Sequence, residues 1–163
     1  MSDKLPGSSR RRAREVALQV LYALDLSSGR REASPGEVPV GPAQGCGRLD
    51  VQSAFEAVEA NFEMPQGARE FAQQLVSEVR GQLSVLDAPI REHSANWRLE
   101  RMAIVDRNIL RLGAYELMQT DTPLPIVVNE AVDLARRFGS DPSPAFVNGI
   151  LDALASTVRE PGP

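Results

Sequence analysis

Residues 10–26 read RRRAREVALQVLYALDL, and the fold class turns on how this stretch is wound. Ala13, Val16, Ala17, Val20, Leu21 and Leu24 recur at steps of three and four. On a helix turning by about 100° per residue, that spacing gathers them into one apolar stripe. Such a stripe needs neighbouring helices to cover it. Arg11, Arg14, Leu18 and Tyr22 fall on the opposite side of the same helix. A basic and aromatic ribbon turned away from the core suits phosphates and unstacked bases, or the side chains of a partner. The same residues equally fit a helix buried on two sides, with a solvated arginine-rich end.

The rest of the chain keeps the helical period and carries few strand signals. Residues 53–62 place Phe55, Val58 and Phe62 at helical steps, with Met64 and Pro65 ending the segment. Phe71, Leu75, Val79, Leu83 and Leu86 predict a longer helix that crosses the core and is stopped by Pro89. Residues 97–118, WRLERMAIVDRNILRLGAYELM, are apolar on most sides, as expected of a helix with neighbours all round. One carboxylate breaks that pattern: Asp106 shares a ribbon with Leu110, Gly113 and Leu117, and burial without a partner would be costly. It is either half of an internal ion pair, a helix-start charge favoured by the dipole, or a docking contact for another protein. Gly113 admits a second helix at close range in every case.

Val127, Ala131, Leu134 and Phe138 then define a helix that follows the turn DTPLP at 121–125 and closes at Gly139. Asn129 and Glu130 open its polar side, as capping groups or as an amide beside an acid that fixes the neighbouring turn, and Arg136 and Arg137 complement the dipole in its last turn. In SDPSP at 140–144, Ser143 is placed to cap a last helix that starts at Pro144 and turns Val147, Ile150, Leu151 and Leu154 inward. Phe146 and Asn148 lie near the exposed start of that helix, beside free N–H groups that suit a phosphate or base; a phenylalanine there also fits as an edge of the core. The pattern as a whole is all-α, a compact bundle of about six or seven helices.

A length of 163 residues suits one domain with its own core, placed at 10–158. Residues 1–9 read as a mobile arm, 28–50 as a flexible Gly- and Pro-rich connection, and 159–163 as a frayed tail. The formal charge is −4, yet residues 1–24 carry +3, leaving −7 for the remainder. A polyanion would therefore be met at one end, over a small footprint, with salt-sensitive affinity and a second protein adding surface. The lone Cys46 forbids an internal disulfide and fits a reducing compartment. No secretory or membrane-spanning stretch is visible, so the cytoplasm is the expected location. His93, the only histidine, has no paired nucleophile or ligand and reads as a surface residue. With no Gly-rich phosphate loop, metal-ligand set or facing carboxylate pair to assemble, no catalysis, metal or cofactor is expected.

Three stretches together resemble one family: RRRARE at 10–15, DRNILRLGAYEL at 106–117, and VVNEAVDLARRFGSDPSPAFVNGILD at 127–152. They are similar to NusB, the bacterial transcription antitermination factor, over the first helix and residues 97–154. The resemblance implies a non-enzymatic, all-helical RNA-binding protein. Family members bind the boxA element of ribosomal RNA leader transcripts together with NusE, a small-subunit ribosomal protein, and help RNA polymerase read through terminators with other Nus factors. It places RNA contacts at Arg10, Arg11, Arg12, Arg14, Tyr22, Ser143, Phe146 and Asn148, and the NusE side at Asp106 and Tyr22. At Pro142, where some members carry a polar or acidic residue, this chain offers no side-chain hydrogen bond; Asp141 is the nearest replacement. The connection at 28–50 is also longer and richer in Gly and Pro than the family leads one to expect. Two other readings stand beside this one. NusB-like domains also occur fused to RNA cytosine methyltransferases, which would make this an accessory RNA-positioning domain. A pure protein-interaction bundle would have solvated arginines and no salt-dependent RNA affinity. Self-association as a homodimer is open on any of these readings.

Overall fold

A computed structural model describes residues 7–28, 50–65, 67–94 and 96–159. Cys46, most of the connection at 28–50, and the outermost parts of the arm and tail lie outside them. The described residues form seven α-helices and one 3-10 turn, with no strand: α1 (Gly7–Ser27), α2 (Val51–Glu59), α3 (Ala68–Gly81), α4 (Leu83–His93), the turn Leu99–Arg101, α5 (Ile104–Gln119), α6 (Leu124–Phe138) and α7 (Ser143–Val158). The apolar stripe of α1 packs on α2, α3 and α5, and α5 in turn packs on α4, α6 and α7. The bundle is thus two helix groups joined along the seam between α1 and α5. Every residue of the stripe from Ala13 to Leu24 is buried.

Several boundaries differ from the periodicity. The first helix begins at Gly7, inside the stretch read as an arm. α2 starts at Val51, because the Asp50 carboxylate accepts the Ser53 N–H (2.6 Å) and caps it. The long helix expected from Phe71 to Pro89 is two helices, broken at Gln82 (φ −140°, ψ 38°). Pro89 does not end α4 but sits within it, and its carbonyl accepts the Nδ1–H of half-buried His93 (2.8 Å). The helix expected from Trp97 starts only at Ile104, after the 3-10 turn, and Trp97 is exposed.

Close approach explains two glycines. A Cβ at Gly113 would lie 2.8 Å from Leu151 Cδ1, so its absence lets α5 and α7 touch. At Gly139, whose N–H caps α6 on the Ala135 carbonyl (2.9 Å), a Cβ would lie 2.6 Å from the Ser143 side chain. Arg159 folds back over the end of α5 and donates to the carbonyls of Glu116, Leu117, Thr120 and Thr122 at 2.6–3.1 Å. That fastens the last helix to the turn between α5 and α6.

Candidate nucleic-acid interface

The arginines at the start of α1 divide. Arg14 and Leu18, expected on an exposed ribbon, are both buried. The Arg14 guanidinium makes a bidentate pair with Glu116 on α5 (Nε–Oε2 2.9 Å, Nη2–Oε1 2.7 Å) and lies over the Phe71 ring (5.7 Å). That side of α1 faces α3 and α5 and is closed by a carboxylate, so Arg14 belongs to the core. Arg10, half-buried, stands at 6.0 Å over the same ring. Arg12 lies 5.6 Å from Phe62 and pairs with Glu15 (3.0 Å). Arg11 is the most open of the four, its side chain 55% exposed.

Arg11 also sits at a junction. An open depression of about 710 Å³ is lined by Gly7, Ser8, Arg11, Arg12, Glu130 and Arg137, among others. A second, of about 700 Å³, runs from Arg11 past Asn129, Asp133 and Arg136 to Pro144 and Asn148. Because Arg11 lines both, they form one trough from the start of α1, across α6, to the first turns of α7. This brings Arg11, Arg12 and Asn148 onto one surface. It adds Arg136 and Arg137, which helix-dipole reasoning had accounted for without a ligand.

The trough's cations are already paired. Glu130 takes Nε and Nη2 of Arg11 (3.2 and 3.0 Å), and Asp133 stands 3.7 Å away. The Glu130 hydrogen bond, then its charge, raises the Arg11 pKa above the ordinary guanidinium value. Asp133 also holds Arg136 (3.0 Å), and the buried Glu15 holds both Arg12 and Arg137. Glu130 was read as a capping group; it is instead the orienting partner of Arg11. Glu130, Asp133 and Arg137 step by three and four along α6, which makes their shared face visible in the sequence, while the pairing with Arg11, 119 positions away, is not.

At the start of α7, Ser143 is buried, and its Oγ accepts the Ser140 N–H (3.0 Å). It therefore braces the turn before the helix; Pro142 occupies the N-cap position. Asn148 is exposed and bonded to Asp152 (3.3 Å). Phe146, two residues earlier and so on the other side of the helix, meets Trp97 edge to face (5.9 Å, 75°). Tyr22 is 38% exposed on α1. Asp106 occupies the first turn of α5, half-buried, with a buried Oδ1 that has no hydrogen-bond partner among the described residues. Of its three readings, the helix-start position fits, and no internal ion pair forms among the described residues. Among the described residues no acid, histidine and cysteine cluster could hold a metal, and no helix is long and apolar enough to cross a membrane.

These features define a class, the all-α bundles of seven helices in which the arginine-bearing start of the first helix shares one surface with the sixth and the start of the seventh. The NusB family model matches residues 11–156, and the chain belongs to the NusB family. Transcription antitermination protein NusB of Myxococcus xanthus (strain DK1622) is 39% identical over 154 residues, 94% of this chain and 99% of the relative. The protein of the same name from Anaeromyxobacter dehalogenans (strain 2CP-1) is 40% identical over 150 residues, 91% of this chain and 92% of its own. Among solved structures, NusB of T. maritima matches with a TM-score of 0.70 at 30% identity, over 94% of this chain and 92% of that one. A structure of antitermination factors NusB and NusE in complex with dsRNA matches at 0.70 and 28% identity, over 93% of this chain and 99% of that one.

Proposed function

We propose that this protein is an RNA-binding antitermination factor that takes single-stranded boxA RNA of ribosomal RNA leader transcripts together with NusE. On this reading it acts by recruitment, as a member of the elongating RNA polymerase complex with the other Nus factors, and not as an enzyme. The observation that supports it most directly is the likeness, over 93% of the chain, to a NusB solved with NusE and dsRNA. The trough supports this reading, on which Arg11 and Arg12 neutralise phosphates on α1 and the strand passes α6 towards Asn148 and Phe146. Tyr22 and Asp106 serve the NusE side. A near-neutral trough supplies little affinity alone, so a second protein on the same RNA contributes through effective concentration.

The test is binding of a labelled boxA-type RNA, with and without NusE, titrated in salt against a scrambled RNA and an Arg11→Ala, Arg12→Ala double variant. Specific, salt-sensitive binding that NusE strengthens and the variant weakens is the expected result. Equal, weak binding of both RNAs by both proteins, even with NusE present, would overturn the proposal.

A further inference from the structure

Trp97 is the most exposed large apolar side chain among the described residues, with 63% of its surface open. Phe146 on α7 meets its ring edge to face, with centroids 5.9 Å apart, and so backs the indole against the bundle. The indole leads into the segment WRLER, with Arg98 the residue before the 3-10 turn and Arg101 its last. Both arginines are exposed. The acid between them, Glu100, is held by Arg91 (2.7 Å). Neither Arg98 nor Arg101 has a carboxylate within 4.0 Å among the described residues, whereas Arg11, Arg12, Arg136 and Arg137 in the trough all do.

We infer that Trp97, with Arg98 and Arg101, forms a second contact for single-stranded RNA, in which one unstacked base lies on the indole and the arginines take the flanking phosphates. This rests on the RNA-binding reading and extends it. An open aromatic face accepts any base, and unpaired guanidiniums beside it offer the charge that a phosphate backbone requires. Phe146 ties the contact to the trough, since the first turns of α7 carry Asn148 on one side and the Phe146 and Trp97 pair on the other. The strand therefore crosses the start of α7, and its footprint is longer than the trough alone.

Trp97 is the only tryptophan in the chain, so emission excited at wavelengths that tyrosine does not absorb reports this site of the protein and no other. The full chain is titrated with a single-stranded boxA-type RNA, following tryptophan emission and, in parallel, the anisotropy of the same RNA carrying a label. Saturable quenching with the midpoint of the anisotropy curve is expected. Trp97→Ala should weaken binding about tenfold, Trp97→Phe should retain most of the affinity, and Arg98→Ala with Arg101→Ala should flatten the salt dependence. If the RNA binds and Arg11→Ala weakens it, while emission stays constant and Trp97→Ala equals wild type, this inference falls and the RNA-binding reading stands. If emission responds to NusE alone and not to RNA, the patch is a protein contact and the inference is overturned. Absence of any RNA binding, with or without NusE, removes both.

Discussion

Arg11 and Arg14 are three residues apart on one helix, identical in chemistry, and opposite in fate. The sequence placed them on one ribbon, and what separates them is a partner 102 positions away: Glu116 draws Arg14 into the seam between α1 and α5. No local pattern encodes that pairing, so the burial of Arg14 was not legible, while the openness of Arg11 was. Replacing Arg14 by Met leaves Glu116 buried and alone, and should lower stability by about 3–5 kcal/mol in urea unfolding. Arg11→Ala removes a pair whose arginine is mostly open and leaves half-buried Glu130 without it, so it should cost no more than about 1 kcal/mol, its main effect falling on RNA affinity. A second contrast tests what the neighbouring acids do. Glu130 occupies the Nε and Nη2 edge of Arg11 and leaves Nη1 unused, whereas Asp133 merely stands nearby. Glu130→Gln is expected to weaken RNA binding even though it removes a negative charge, and Asp133→Asn to strengthen it, both read by filter binding. Equal strengthening by both would make Glu130 a rival of phosphate and not an orienting group.

Among the elements, α6 and the inward face of α7 were the most legible, because proline, glycine and clean three- and four-residue steps mark them in the sequence. The break between α3 and α4 was hidden, since the apolar steps run through Gln82 unchanged. Gly139 was read correctly as an end point, though its necessity comes from crowding by Ser143 and not from an unusual backbone angle. Gly139→Ala should therefore cost about 1–3 kcal/mol, measured by calorimetry. Gly149, inside α7, has nothing within 4 Å of where a Cβ would stand. Gly149→Ala should raise stability by about 0.5–1 kcal/mol, as for any open glycine in a helix. Arg159, expected in the tail, acts as a clasp on the carbonyls that end α5. Arg159→Ala should cost about 2–3 kcal/mol, and thermal melting would register it.

For the molecule as a whole, the decisive feature is the seam where α1 meets the rest. Near its end, Asp25 accepts a hydrogen bond from Asn108 (3.0 Å) and is approached by Arg80, Arg107 and Arg111 at 3.5–3.6 Å, while Arg111 also grips Asp87 (2.7 Å). Three helices, α1, α3 and α5, meet at the Asp25 carboxylate, and Arg111 extends the cluster to α4 through Asp87. Asp25→Ala should lower stability by about 3–5 kcal/mol while leaving a single melting transition. A separate transition for α1 to α3 would show instead that the two groups unfold independently. The pairing in the trough bears on a different matter, the traffic of strands past the protein. Because each of its arginines already has an acid, a transcript chosen at random gains little by lingering there. On the RNA-binding function proposed above, dwell times on unrelated RNA are then brief, and the pool of unengaged protein stays large for an RNA that can also hold a partner protein.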